Sequence, residues 1–160
     1  MDISKDIFRA YDIRGRYPEE INEELYVLLG KALGTKILLN SKDKKVSVCM
    51  DGRTSGQSLK TSLIEGILAT GVDVIDIGML PTPILNFSLY SLGINNGLMI
   101  TGSHNPKDYN GIKMIINGVT LFDEYILELY ELIISKDFKY AGKHGNIIIN
   151  DNILDSYIDK

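Results

Sequence analysis

The sequence predicts an α/β fold, a three-layer α/β/α domain with a mixed, mostly parallel sheet and an antiparallel edge strand. Between residues 22 and 101, short apolar runs alternate with amphipathic helical segments. Repeated strand–helix units of this kind build a largely parallel sheet that is covered on both faces. Beyond residue 111 the alternation stops, and an Asn-Gly pair at 117–118 separates two strand-like runs. Because Asn-Gly is the strongest short hairpin signal, antiparallel strands are expected there.

Length and composition are those of a globular protein. The 160 residues are typical of one domain, with 44% hydrophobic and 24% charged residues. The net charge of −4 gives no basic face for nucleic acid, and no apolar run approaches the length that spans a membrane. The single cysteine, Cys49, lies in an apolar run, which predicts a buried, inert thiol. Because no intrachain disulfide is possible and the start has no signal-peptide pattern, a cytoplasmic location is expected.

Strands are predicted where short apolar runs are bounded by turn residues. An irregular run at residues 7–15 fits a short edge strand with surface charge. The other predicted strands are residues 46–50, 72–77, 98–101, 112–116 and 119–121.

Three helices before residue 94 have recognisable ends. Asn22 is a typical N-cap for the first helix, which is expected to end near Gly34. Gly71 fits the end of the second helix. Thr82 is expected to cap the third helix and Gly93 to end it.

Two further helices are predicted near the end of the chain. Asp123 is the expected N-cap of the first of them. Its inward face is predicted to consist of Ile126, Leu129, Tyr130, Ile133 and Ile134. Residues 135–150 are loop-like, although 147–149 can pair briefly as a strand. A last helical pattern opens at Asp151 and still continues at Lys160, from which we expect a longer parent protein.

A polar turn directly follows the apolar run of the predicted strand at residues 98–101. It contains Ser103 and His104, and Lys113 follows ten positions after Ser103. Ligands of open α/β sheets bind at the carboxyl ends of strands, and a serine there becomes a nucleophile when a base or a strong local field activates it. On the residues alone, an ordinary polar loop is the commoner explanation.

The loop at residues 51–56 connects a strand to a helix and contains glycines and Arg53. Such loops can hold phosphate on free backbone N–H groups. This one matches neither the Walker pattern nor the dinucleotide fingerprint, which favours a simple connector, with Arg53 available to support an anion nearby.

Five segments, taken in order, resemble the first domain of the α-D-phosphohexomutases. They are Phe-Arg-Ala-Tyr-Asp-Ile-Arg-Gly at 8–15, Asp-Gly-Arg at 51–53, Gly-Met-Leu-Pro-Thr-Pro at 78–83, Thr-Gly-Ser-His-Asn-Pro at 101–106 and Asp-Tyr-Asn-Gly-Ile-Lys at 108–113. The opening segment resembles the phosphomannomutase/phosphoglucomutase branch. One such motif is weak, but five in the same order are specific, and the resemblance covers nearly the whole chain.

The resemblance implies an isomerase that interconverts hexose 1-phosphate and hexose 6-phosphate, of mannose or glucose, through a phosphoserine and a hexose 1,6-bisphosphate. Ser103 matches the phosphoserine, and His104 and Lys113 match residues that flank the transferring group. Arg14 would hold phosphoryl oxygens and Tyr11 would face the substrate. Positioned positive charge suits phosphoryl transfer, although the sequence does not tell which of His104 and Lys113 handles the proton.

The resemblance also implies parts that this sequence does not contain. The family has four domains, and its Mg²⁺ is held by the serine phosphate and an Asp-Gly-Asp-x-Asp loop of the second domain. No such loop occurs here, and Asp151, Asp155 and Asp159 are better explained as solvated charge on one helix face. We therefore expect residues 1–150 to form domain I and residues 151–160 to begin the connection to domain II. Without domains II–IV the chain is expected to be inactive.

A different class of function fits the same residues. The chain could be a non-catalytic module that binds a sugar phosphate or regulates through it, with Ser103 unmodified. A phosphate ester on Ser103 that hexose phosphate removes would distinguish the enzyme from the module.

Overall fold

Seven strands form one sheet in the computed structural model, which describes residues 2–159. The strands are β1 (Ile13–Arg16), β2 (Lys45–Met50), β3 (Asp73–Met79), β4 (Gly97–Ile100), β5 (Tyr109–Ile116), β6 (Val119–Thr120) and β7 (Ile147–Ile149). Their order across the sheet is β1-β5-β4-β2-β3-β7, and β6 pairs with β5.

The sheet is parallel on one side and antiparallel on the other. β4, β2, β3 and β7 pair in parallel, whereas β5 runs antiparallel to β4, β1 and β6. The predicted mixed α/β sheet is confirmed. Its antiparallel part is wider than one edge strand, because β5 lies between β4 and β1.

Five helices of the described chain cover the two faces of the sheet. They are α1 (Glu23–Asn40), α2 (Gly56–Thr70), α3 (Thr82–Leu92), α4 (Glu124–Ser135) and α5 (Ile153–Ile158). Buried side chains of α1, α2 and α4 pack with one face in the larger core. Those of α3 and α5 pack on the opposite face in a smaller core. The result is the predicted three-layer arrangement.

Turns and helix ends follow the local sequence signals closely. The Asn22 side chain caps α1 by accepting the N–H of Leu25 at 3.0 Å. Gly71 and Gly93 end α2 and α3 with φ values of 100° and 67°. Both residues of the Asn-Gly hairpin also have positive φ, as a type I′ turn requires. These predictions are confirmed. Each of them depends only on a few neighbouring residues of the chain.

The predicted end of the first helix is wrong. α1 continues through Gly34 to Asn40. A Cβ on Gly34 would lie 2.2 Å from Thr70 Oγ1, and one on Gly30 would lie 2.2 Å from the carbonyl oxygen of Leu63. These glycines therefore allow α1 and α2 to pack closely rather than ending a helix.

Details of the other helix ends also differ from the predictions. α5 begins at Ile153 rather than Asp151. Asp123 occupies the N-cap position of α4, but its side chain forms no capping hydrogen bond. Ile134 is 55% exposed, since the buried stripe of α4 consists of Ile126, Leu129 and Ile133. α3 begins at Thr82, whose predicted side-chain cap lies outside the described part of the structure.

Two predictions from composition can be compared with the structure. Cys49 is fully buried, and burial raises the pKa of its thiol to about 12. The predicted burial of the thiol is therefore confirmed. Among the described residues, no helix is long and apolar enough to cross a membrane.

Candidate functional site at the carboxyl end of the sheet

The serine turn and the Asp-Gly-Arg loop meet at one edge of the sheet. β2 and β4 are parallel neighbours, so the loops that follow them emerge side by side. Asp51 follows β2, and its N–H donates to the carbonyl oxygen of Ile100 at 2.9 Å. Thr101 follows β4, and its hydroxyl donates to Asp51 Oδ2 at 2.7 Å. This contact joins the two loops beside the serine.

Ser103 lies in this turn with an unusual backbone conformation. Its φ is 54°, in the left-handed region that non-glycine residues rarely occupy. Its N–H donates to Thr101 Oγ1 at 3.0 Å. The side chain is partly exposed rather than buried in the core, and within residues 2–159 its hydroxyl forms no hydrogen bond. The hydroxyl is therefore accessible to a reacting group.

The Arg53 side chain is enclosed by the serine turn. Its Nη2 group donates to the carbonyl oxygens of Ser103 at 3.0 Å and Asn105 at 2.8 Å. Its Nη1 group donates to the carbonyl oxygens of Pro106 and Tyr109. Arg53 thus contacts backbone carbonyls rather than the anion that the sequence suggested.

Arg14 and Lys113 point to the same face of the sheet. Arg14 on β1 pairs with Gly111 on β5, and Lys113 lies two residues further along β5. Paired residues and residues two apart point to the same face. Their neighbours Ile13 and Ile112 point into the larger core on the other face. The two cations are diagonal neighbours, about 7–8 Å apart at Cα.

Strand pairing connects Arg14, through Gly111, to the start of the serine turn. The N–H of Thr101 donates to the carbonyl oxygen of Gly111 at 3.1 Å, and Gly111 pairs with Arg14. Arg14 is one-third exposed, and its Nε lies 3.0 Å from the Asp12 carboxylate. Its two Nη groups form no hydrogen bond with a described residue. Ser103 follows Thr101 by two residues, which places cationic side chains and the hydroxyl at one end of the sheet.

His104 and Tyr11 are both exposed. His104 adjoins Ser103 in the chain, and Tyr11, 69% exposed, lies in the turn before β1. Within residues 2–159, neither side chain hydrogen-bonds to Ser103, and neither Arg14 nor Lys113 does so. His104 lies in the serine turn and Arg14 and Lys113 lie on β1 and β5, whereas Tyr11 lies outside both, in the turn before β1.

The contribution of the Asp-Gly-Arg loop was missed by sequence reasoning, which favoured a simple connector. Asp51 accepts from Thr101 and, at 3.3 Å, from the N–H of Gly102, and Arg53 binds the carbonyls of the same turn. The available signal was that both loops follow buried strands. Recognising the contact required the strand order, which places β2 beside β4.

The acidic side chains do not form a metal site by themselves. No group of three His, Cys, Asp or Glu side chains in residues 2–159 is arranged to hold a metal ion. The described residues therefore do not fit a complete Mg²⁺ site.

The whole arrangement matches a known family. Residues 5–140 match the family described as phosphoglucomutase/phosphomannomutase, alpha/beta/alpha domain I. The chain belongs to this phosphoglucomutase/phosphomannomutase family. The match includes every predicted site residue and both loops at the carboxyl end of the sheet.

Individual members of the family agree with this assignment. The chain is 44% identical to the phosphomannomutase/phosphoglucomutase of Pseudomonas syringae pv. tomato over 94% of its length. It is 40% identical to the phosphoglucomutase of Neisseria meningitidis serogroup B over 93% of its length. It spans about one-third of each relative, 32% in both cases. A phosphoglucomutase/phosphomannomutase family protein from Burkholderia thailandensis superposes with a TM-score of 0.90 at 34% identity, over 99% of this chain and 35% of that one.

Proposed function

We propose that this chain is the phosphoserine-bearing first domain of a phosphohexomutase that interconverts hexose 1- and 6-phosphates of mannose or glucose. The observation that carries the proposal is the accessible Ser103 hydroxyl at the carboxyl end of the sheet, with Arg14 and Lys113 on the adjoining face. Family membership over residues 5–140 supports it independently. Residues 1–150 are the proposed domain, and residues 151–160 the proposed connection to domain II.

In the proposed reaction Ser103 transfers a phosphoryl group to a sugar hydroxyl. The bond between Ser103 Oγ and phosphorus breaks while a bond from the sugar oxygen to phosphorus forms. The sugar hydroxyl loses its proton to a base, and Ser103 Oγ gains one. Lys113 and Arg14 stabilise the negative charge on the phosphoryl oxygens. His104 or Lys113 handles the proton, and Tyr11 contacts the sugar.

The sugar bisphosphate that forms in this step is the proposed intermediate and activator. It returns its other phosphoryl group to Ser103 after turning over in the site. The proposed cofactor is Mg²⁺, for which this chain would supply only the Ser103 phosphate. The other ligands would come from domain II, in a cytoplasmic enzyme of four domains.

The proposal is tested by intact mass in a longer protein that contains this domain. We expect one phosphate ester on Ser103, lost when hexose monophosphate is added and absent in Ser103→Ala. Reversible binding of hexose phosphate to an unmodified serine would instead indicate a binding or regulatory module. The isolated 160 residues are expected to show no mutase turnover, and an enzyme-like rate from them would contradict the requirement for further domains.

A further inference from the structure

All four Nη donors of Arg53 are occupied by backbone carbonyls. An arginine has five N–H donors and cannot lose its charge in a protein. Four backbone carbonyls of the serine turn occupy the two Nη groups. Nε lies 3.4 Å from Asp51 Oδ2, and the side chain is only 15% exposed. Arg53 therefore differs from Arg14, whose Nη groups form no bond with a described residue.

The same contacts hold both peptide groups of Ser103. Its carbonyl oxygen accepts from Arg53, and its N–H donates to Thr101 Oγ1. Thr101 in turn donates to Asp51, the carboxylate that faces Arg53. A left-handed non-glycine residue persists only where its surroundings over-determine the conformation. Here the ion pair of Asp51 and Arg53 acts on the serine from both sides, and Asn105 also holds the preceding peptide group by donating to the Gly102 carbonyl.

Gly102 has the close approach that this arrangement needs. A Cβ at that position would lie 2.3 Å from Arg53 Cζ. The guanidinium thus packs directly against the backbone next to the serine, and only glycine leaves room for it. The contact is specific to the planar group of arginine, since a lysine ammonium is a point charge without a fork of donors.

We propose that Arg53, seated on Asp51, is a positioning residue that holds Ser103 in its left-handed conformation and so directs the hydroxyl toward the phosphoryl acceptor. The inference rests on the proposed function for its chemical consequence. Its structural content, the fixed backbone of the serine, stands independently of any turnover.

The unmodified 160-residue chain provides the first test, by nuclear magnetic resonance. We expect separate, slowly exchanging Nη proton signals for Arg53, because four acceptors restrict rotation of the group. We also expect the strong intraresidue amide–Hα contact that a positive φ gives at Ser103. Averaged Arg53 signals would overturn the proposal. This measurement needs no variant and no sugar, so its failure is distinguishable from failure of the mutase assignment.

The second test compares Arg53→Lys with Arg9→Lys, a matched change at an exposed arginine outside the turn. In Arg53→Lys we expect the Ser103 amide to exchange at least about tenfold faster, since hydrogen bonds to a charged group are lost. The amides of β2 and β4 should exchange as before, and Arg9→Lys should match the unmodified chain. Retained protection and positive φ at Ser103 in Arg53→Lys would overturn the proposal, as would an equal loss in Arg9→Lys. If Arg53→Lys fails to fold, the measurement on the unmodified chain decides.

In a longer, active protein the same substitution distinguishes positioning from binding. Arg53→Lys is expected to lower kcat at least about tenfold with little change in KM, because the Nη donors of Arg53 are all occupied by backbone carbonyls. A rise in KM with kcat unchanged would show direct substrate binding and would overturn the positioning role.

Discussion

The two ends of the sheet use polar side chains in opposite ways. At the amino ends of β2 and β4, Asn96 is fully buried. Its Nδ2 lies 3.0 Å from Ser41 Oγ, 3.1 Å from the carbonyl oxygen of Asp43 and 2.9 Å from that of Lys45. Its Oδ1 accepts the N–H of Asn117 at 2.8 Å. Every polar atom of this side chain has a partner within the domain.

At the carboxyl ends of the same strands, the loops are held by hydrogen bonds but several polar side chains are left without a partner. Arg53 and Asp51 bind the peptide groups of the serine turn, whereas the side chains of Ser103, His104 and Lys113 have no hydrogen-bonded partner among residues 2–159. A paired, buried polar group stabilises a fold, and unpaired, accessible groups on a rigid frame are available to a ligand. Stability and chemistry therefore lie at different ends of one sheet.

The largest effect that follows from this comparison is on Ser103. In a longer, active protein, Ser103→Ala is expected to lower mutase activity by several orders of magnitude, because the proposed phosphoryl carrier is lost. The free energy of unfolding should change by less than about 0.5 kcal/mol, since the hydroxyl has no partner. A coupled assay for hexose phosphate isomerisation and a denaturant titration measure the two quantities. An active variant would remove Ser103 from the mechanism.

Substitution of Lys113 should likewise lower activity with little change in the free energy of unfolding, but the loss of activity should be smaller. Lys113→Met is expected to reduce activity about 10²–10³-fold, the usual effect of removing one charge-stabilising donor, with unfolding free energy nearly unchanged. Lys139→Met, at an exposed lysine paired only with Asp137, is the matched control and should retain activity. Equal activity in the two variants would show that Lys113 does not act on the phosphoryl group.

A substitution at the amino ends of β2 and β4 should instead change the free energy of unfolding. Asn96→Ala is expected to lower the free energy of unfolding by about 3 kcal/mol, because buried carbonyls and an N–H lose their partner. Asn95→Ala, which removes an exposed bond to Asp43, should lower it by less than about 1 kcal/mol. Thermal and denaturant unfolding measure both. A similar small effect in the two variants would contradict the structural role of Asn96.

The smallest effect is expected at Tyr26, beneath the carboxyl end. Its hydroxyl is the one buried side-chain oxygen or nitrogen without a partner in the described structure. Burial raises the pKa of this phenol, and the charge of Asp51 adds to the shift. Tyr26→Phe removes an unpaired hydroxyl, so the free energy of unfolding should stay within about 1 kcal/mol or increase. A denaturant titration that shows a loss above about 2 kcal/mol would reveal a hidden partner.

The predictions from sequence agree with the structure where the cause lies in neighbouring residues of the chain. They differ where the cause is a residue that is distant in the chain. Asn22, Gly71 and Gly93 were predicted because a cap depends on its own helix. Gly34 was misread as a helix end, because its neighbour Thr70 lies on another helix. The role of Arg53 was missed for the same reason: its partners are about fifty residues away in the chain and become neighbours only through the order of β2 and β4.

The candidate site itself was predicted through the resemblance rather than through the chemistry of single residues. Ser103, His104 and Lys113 were proposed from motif order, and the structure adds their exposure and shared end of the sheet. Their roles in transfer stay predictions, because no described contact links these side chains to the hydroxyl.

Intact mass with site localisation measures directly whether Ser103 carries a transferable phosphoryl group. In a longer protein that contains this domain, we expect one phosphate on Ser103 that disappears when hexose monophosphate is added. A serine that is never phosphorylated in an active enzyme, or a phosphate on Ser103 that hexose monophosphate leaves in place, would contradict it.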